Sequence, residues 1–438
     1  MPIKTQQKSQ FILLKQRRFL PLFLTQFLGA FNDNVYKNTL LLMVAFSASV
    51  QEPIDSRLFI NLAAGLFIAP FFLFSFLAGQ LADKYDKSQI IRYTKLAEIF
   101  IMVLAVPFIV MEHYWVLLFF LFMMGTQSAF FGPVKYAALP EQLAKDELVG
   151  GNALVEAGTF IAILGGMFMA GWLIMLGSAS LWIAVWVVLL SVFGWLASCC
   201  IPKSRAVLPQ LSLSWHFFPE TIRLIKLIRQ DRLIFYATVA ISWFWALGAA
   251  CLTQFPVVVS DVLNGPPYAV SLMLALFILG VGGGALCCEW LTCRETLTRW
   301  VPVAAVGLTV ACIDTFYNLQ NITGEKTVGL ISFIQEVGHV RLFIDVVSVG
   351  FWGGLFAVPL YALIQQRTPE NCRSRGIAAL NVMNALFMVL SALLGMLWMG
   401  VFAFSLASFF LLLGGLNMVL GIFLFYVKMP EFLQKKKA

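Results

Sequence analysis

Apolar residues run through the chain in long blocks, and polar residues gather in short intervals between them. The blocks fall at about 19–46, 58–81, 90–111, 114–137, 148–176 and 179–201, then at about 232–259, 267–290, 299–317, 340–365, 375–401 and 403–427. A helix needs about 20 residues, at about 1.5 Å each, to cross the hydrocarbon core. The pattern therefore predicts an all-α integral membrane protein with twelve transmembrane helices. The longest polar interval, 202–231, splits them into two six-helix bundles. The predicted organisation is an N-terminal segment 1–18, a bundle over 19–201, a linker over 202–231, a bundle over 232–427 and a basic tail over 428–438. Within the linker, Thr221 to Arg229 places bases at 223, 226 and 229 and Ile at 222, 225 and 228. That spacing predicts an amphipathic helix lying on an anionic membrane surface; a plain linker with snorkelling bases fits the same pattern.

Composition strengthens this picture. Hydrophobic residues make up 60% of the 438 and charged residues 12%, against roughly 45–50% and about 25% in soluble domains. Such a surplus of apolar surface needs lipid as its solvent, which excludes a soluble nuclease, kinase or dehydrogenase. The net charge of +8 does not point to nucleic acid, because the bases lie between apolar runs. With both termini inside, 26 of the 30 Lys and Arg fall on the cytoplasmic side; only Arg57, Lys326 and Arg341 lie outside, and Lys37 is within span 1. The positive-inside rule thus predicts cytoplasmic termini. Lys4 to Arg18 lead into an uncleaved first span rather than a signal peptide, since no small-residue cleavage site follows. The eight cysteines form no C-x-x-C pair and read as reduced thiols facing lipid or core; no metal site or cofactor is expected.

A weak repeat matches the two halves. Phe131-Gly-Pro-Val-Lys-Tyr136 ends span 4 and Phe356-Ala-Val-Pro-Leu-Tyr361 ends span 10, while Asn152 and Gly166 match Asn381 and Gly395 at a common offset of 229. Two parallel halves with a site between them is a transporter layout.

The loop after span 2 reads Gly79-Gln-Leu-Ala-Asp83-Lys84-Tyr-Asp86-Lys87. It resembles the G-x-L-A-D-R-x-G-R-R loop of the major facilitator superfamily, with Asp86 in place of the second Gly and Ser88 in place of the last base. The resemblance implies that fold. The acid is expected to pair with a helix N-terminus or an Arg and latch the cytoplasmic side. Gly79, Asp83, Lys84, Arg373 and Arg375 are the candidate residues of this cytoplasmic gate. The second half carries a loose echo, Gly284-Ala-Leu-Cys-Cys-Glu289.

Span 1 holds the chemistry least suited to lipid, Gln26-Phe-Leu-Gly-Ala-Phe-Asn32-Asp33-Asn34-Val-Tyr-Lys37. Asp33 falls near mid-membrane, where a lone charge costs several kcal/mol, so a cavity or a partner is expected. Asp33, Asn34 and Lys37 are candidate transport residues; the competing structural reading is an i,i+4 pair of Asp33 with Lys37. On span 5, Asn152, Glu156 and Thr159 share one stripe, and span 11 repeats the idea with Asn381 and Asn384. Lys135, after Gly132-Pro133, could reach a lipid phosphate or mark the inner boundary. Span 7 offers Trp243, Trp245, Thr253 and Gln254. Asp314, Arg341 and Asp345 either gate the outer side or form an interfacial pair.

The runs Phe27-Leu-Gly-Ala-Phe-Asn-Asp33-Asn34, Phe131-Gly-Pro-Val-Lys-Tyr-Ala-Ala-Leu-Pro140 and Asn152-Ala-Leu-Val-Glu156-Ala-Gly-Thr159 together resemble the bacterial lysophospholipid transporter family. The likeness is greatest to the transporter part of transporter–acyltransferase fusions. It implies an inner-membrane protein moving lysophosphatidylethanolamine-like lipids for re-acylation, membrane lipids and a separate acyltransferase as partners, and head-group or gating roles for Asp33, Lys135 and Glu156. With the sequence closing after Lys435-Lys-Lys437, an attached acyltransferase is not expected. Stand-alone members of the family resemble one another in an Arg on span 7, where this chain has Leu252-Thr-Gln254, so phosphate binding by that Arg is not available.

Two further classes stand beside this one. The same fold could carry another amphiphile, such as a drug, a siderophore or a carboxylated metabolite, with proton coupling through a buried acid. A membrane-embedded acyltransferase would need an acid five positions after a His. His113, His216 and His339 have Leu118, Thr221 and Ile344 there, and no G-x-S-x-G motif replaces the pair, so an enzyme is not expected.

Overall fold

The computed structural model describes residues 9–47, 56–176, 179–292, 298–322, 333–334 and 337–428. The segment 1–8, Arg294, Lys326 and the tail beyond 428 lie outside the described residues. After a 3-10 turn at Gln10–Lys15, the long helices are α1 Leu20–Ser47, α2 Ser56–Lys84, α3 Lys87–Val110, α4 Tyr114–Gln142, α5 Leu148–Ile174, α6 Ala179–Cys199 and α7 Phe217–Arg229. Then come α8 Arg232–Val257, α9 Pro267–Thr292, α10 Trp300–Asn321, α11 Val337–Arg367, α12 Arg373–Gly395 and α13 Leu406–Lys428. Among the described residues there is no strand.

Eleven helices are long and apolar enough to cross a membrane by length and composition. The twelfth expected span, α1, has 28 residues, about 42 Å of helix. Its cluster of Asn, Asp and Lys dilutes the apolar character that marks the others.

The chain divides into two compact units. One comprises Met1–Trp215 with Pro369–Ile377, the other His216–Thr368 with Ala378–Ala438. In the first, α1 packs along α5 and α6, α2 along α4, and α3 along α4 and α6. A methyl group on Gly166 would stand 2.7 Å from Phe31 O and 2.9 Å from the Asn34 Cβ, so only glycine lets α5 lie this close to α1. In the second unit, α9 packs along α11, and α10 along α11 and α13. There a methyl group on Gly284 of α9 would meet Phe351 O of α11 at 1.9 Å. Spans 2 and 4 meet in the same way, with Gly125 of α4 against Phe67 O of α2 at 2.5 Å. The α7 helix buries Thr221, Leu224 and Ile228 and exposes Arg223 and Ile222.

Candidate functional site

The first unit concentrates its charge around α1. Asp33 is 8% exposed, and burying a carboxylate costs several kcal/mol unless neighbours compensate. Those neighbours come from α4: Ser128 Oγ donates to Asp33 Oδ2 at 2.6 Å, and Gln127 Nε2 donates to Oδ1 at 3.3 Å. The Asp33–Lys37 ion pair that the i,i+4 spacing permits is not formed. Lys37 makes no hydrogen bond or ion pair with a described residue, and its ammonium lies 5.5 Å from the centre of the Phe67 ring. Asn34 turns its amide back on its own helix, to Ala30 O at 2.8 Å.

The α5 stripe faces the same region. Thr159 Oγ1 donates to Gln26 Oε1 of α1 at 2.8 Å. Asn152 is fully buried and donates to Leu148 O at 2.8 Å. Glu156, 2% exposed, accepts a hydrogen bond from the Tyr136 hydroxyl of α4. Lys135 precedes that tyrosine, yet it forms neither an ion pair with Glu156 nor a hydrogen bond with any described residue. Its ammonium lies 4.8 Å from the Tyr136 ring centre and 6.0 Å from that of Phe131. Cation–π contact of this kind contributes roughly 0.5–2 kcal/mol, less than an ion pair in the same place. Two ammonium groups on α1 and α4 therefore stand beside well-satisfied acids.

A second charged group lies deeper. Lys95 and Glu98 on α3 are each 1% exposed, joined at 2.6 Å, and Asn32 Nδ2 of α1 donates to the other Glu98 oxygen at 2.8 Å. The positive-inside count puts Lys95 among the 26 cytoplasmic-side bases, whereas the structure sets it inside the bundle. Its i,i+3 partner Glu98 was the signal that it sits inside the bundle. Gly29 makes the space: a methyl group there would stand 2.1 Å from Lys95 Nζ. Ser128, Gln127 and Tyr136 were also missed, since polar residues scattered along an apolar helix show their role only once a partner helix is known.

At the α2–α3 loop, Asp83 is fully buried. Arg375 Nε donates to its Oδ2 at 2.7 Å, and Ser374 N, in the first turn of α12, donates to Oδ1 at 3.2 Å. Asp83 thus takes both an Arg and a helix N-terminus, where a carboxylate also offsets the helix dipole. Arg373 opens the same turn, while Lys84 lies over the Tyr85 ring at 5.6 Å and Gly79 precedes Asp83 by one turn. Asp86, the departure from the superfamily loop, caps α3 through Ser88 N at 2.8 Å and accepts from Ser204 Oγ at 2.8 Å. Burial pushes its pKa up, but the hydrogen bonds from Ser204 and Ser88 outweigh this and hold it below the usual carboxylate value.

In the second unit the candidates lie apart. Asn384 accepts from Ser242 Oγ at 2.8 Å, with the half-buried Asn381 one turn earlier on α12. Gln254 of α8 is 8% exposed and contacts Thr253 at 3.3 Å. Arg341 of α11 pairs with Asp314 of α10 rather than with Asp345 on its own helix, and Asp345 accepts from Asn318 at 3.2 Å.

The chain is 27% identical over 369 residues to the lysophospholipid transporter LplT of Cronobacter sakazakii, covering 81% of each chain. It is also 27% identical over 372 residues to the protein of that name from Klebsiella pneumoniae, again covering 81% of each. Among solved structures, the E. coli fucose:proton symporter FucP matches 98% of this chain and 100% of its own, with a TM-score of 0.70 at 14% identity. The proton:xylose symporter XylE matches with a TM-score of 0.71 at 9% identity, covering 96% of each chain. Residues 22–323 match the family model of the Major Facilitator Superfamily. With an all-helical fold and a matching model over most of its length, the chain belongs to the Major Facilitator Superfamily.

Proposed function

We propose that this chain is a secondary transporter that moves a lysophospholipid, of the phosphatidylethanolamine type, between the leaflets of a bacterial inner membrane by alternating access. The observation that carries the reading is the two ammonium groups, Lys37 and Lys135, which form no direct ion pair with a described residue and stand near the buried acids Asp33 and Glu156 in a largely apolar bundle. A zwitterionic head group offers one phosphate to the lysines and one ammonium to the acids. A single acyl chain suits the apolar remainder. Its relatives in Cronobacter and Klebsiella, named as lysophospholipid transporters, support the same substrate class. Both termini are assigned to the cytoplasm, the contacts of Asp83 to a cytoplasmic latch, and the Arg341–Asp314 pair to the outer gate. An acyltransferase acting on the delivered lipid is the expected partner in the cell. Radiolabelled lysophosphatidylethanolamine uptake into spheroplasts with and without the protein tests the reading. Protein-dependent uptake is expected to be competed by unlabelled lysolipid. Uptake of a drug or carboxylated metabolite in its place would transfer the function to that amphiphile.

A further inference from the structure

Residues 201–214 are not helical, yet they do not run free. They lie along the corner where α2 turns into α3 and bond to it along their length. Arg92 Nη2 of α3 donates to Ile201 O at 2.9 Å. Ser204 sits in the capping turn of α3. Its Oγ and its backbone N both donate to Asp86 Oδ1, at 2.8 and 3.2 Å, and the Oγ accepts from Lys87 N at 3.0 Å. Leu208 N donates at 2.8 Å to Asp83 O, a carbonyl that the last turn of α2 leaves without a helical partner. Gln80, 4% exposed, holds the far end: its Oε1 accepts from Ser214 N at 2.9 Å and its Nε2 donates to Ser214 O at 3.4 Å. A glycine at position 86, as in the superfamily loop, would offer no carboxylate to Ser204, so this anchor comes with the chain's departure from that loop.

The hold weakens along the run. At Ile201 and Ser204 a guanidinium or a carboxylate takes part, and charge-assisted bonds are roughly twice as strong as neutral ones. At Leu208 and Ser214 every partner is neutral, and one of the Ser214 bonds is long. The weak end is also the one that continues, after Trp215, into α7 and the second unit. With Ser214 held, the chain reaches at most about 10 Å from it to the start of α7, at about 3.3 Å per residue. With Ser214 released and Leu208 held, the free stretch reaches about 30 Å.

We infer that residues 201–214 form a clasp with a fixed end at Ser204 and a releasing end at Ser214, and that opening of the cytoplasmic side requires the Gln80–Ser214 contact to let go. The inference rests on the alternating-access reading above. Asp83 joins the clasp to the latch: its carbonyl takes Leu208, and its carboxylate takes Arg375 and Ser374. Release at Ser214 lengthens the tether to α7 while the α3 cap keeps Ser204 in place.

Residue-resolved hydrogen exchange of the full-length protein in nanodiscs tests the gradient. The Ser214 amide is expected to exchange about tenfold or more faster than that of Ser204, the difference between a neutral and a charge-assisted hold. Gln80→Ala should speed Ser214 further and leave Ser204 unchanged. In a Cys-less background, Gln80→Cys with Ser214→Cys is then joined by a short thiol linker or by a flexible one spanning about 30 Å. Against the unlinked variant, the short linker should slow exchange of the Ser374 amide, which the latch protects, about tenfold or more, and cut lysolipid uptake as far. The long linker should do neither. Unchanged Ser374 exchange under the short linker, or exchange as slow at Ser214 as at Ser204, would overturn the clasp. Because Ser374 exchange needs no substrate, a linker effect there in a protein that takes up no lysolipid would refute the lysolipid reading alone.

Discussion

Ser128 of α4 holds Asp33 of α1 through a 2.6 Å hydrogen bond across 95 residues of sequence, while Lys37, one turn from Asp33 on its own helix, is left to the Phe67 ring. The carboxylate is thus anchored between helices, and the nearby cation is kept available.

This arrangement makes Asp33→Asn a test of charge rather than of folding. The amide keeps the shape and an oxygen for Ser128 and loses charge-assisted contacts worth about 1.5–3 kcal/mol each. Lysolipid uptake should fall about tenfold or more, with membrane levels of the protein unchanged. Adding Lys37→Gln should not restore uptake, because the two residues are not paired. Full recovery in the double variant would make them a structural pair after all.

Glu156 and Lys135 are predicted to read opposite ends of the head group. Glu156→Gln should weaken uptake of lysophosphatidylethanolamine far more than that of lysophosphatidylglycerol, which has no amine. Lys135→Gln should weaken both, since both carry a phosphate. Equal losses for the two lipids in Glu156→Gln would instead assign Glu156, with its Tyr136 partner, to holding α4 against α5.

Removing the Arg375 side chain leaves the buried Asp83 carboxylate with Ser374 N but without its charged donor. Arg375→Ala is expected to cost about 1.5–3 kcal/mol, read as a lower Tm in detergent. Lysine should recover only part of it, because a point charge does not reproduce the planar guanidinium. An unchanged Tm in Arg375→Ala would show that the helix N-terminus alone suffices.

Asp86 predicts a pH signature. Its folded pKa lies below the usual carboxylate value. Its contribution is therefore complete above the unfolded pKa and fades as pH falls through the folded one. Asp86→Asn should lower Tm at neutral pH, and the gap to wild type should close below about pH 4. A gap that is the same at every pH would mean that the charge plays no part.

Orientation is testable in a Cys-less background. Gln210→Cys, exposed in the stretch before α7, should resist an impermeant thiol reagent added outside intact cells and react once the membrane is opened. Strong labelling from outside would invert the topology.

Much of this site was legible one helix at a time. The α1 residues Asp33 and Lys37 and the α5 stripe stood out because lipid tolerates few such groups, and the helical repeat already placed Asn152, Glu156 and Thr159 on one face. Pairings between helices were not legible. Spacing alone offered Lys37 to Asp33, and Ser128 took the contact. It offered Asp345 to Arg341, and Asp314 took it.

The sequence by itself determined that this is a multi-span membrane protein, where its helices lie and which of them carry charge, because lipid imposes those features on every segment separately through length, hydropathy and helical period. Only the tertiary structure decided that Lys95 lies inside the bundle, in the space left by Gly29 and neutralised by Glu98. It alone decided that Asp83 meets Arg375 and that, among the described residues, Lys37 and Lys135 form no direct ion pair. Those outcomes depend on which helix faces meet and how closely, and a glycine permits close approach only where the partner helix presents backbone or a side chain to it, which no single segment encodes.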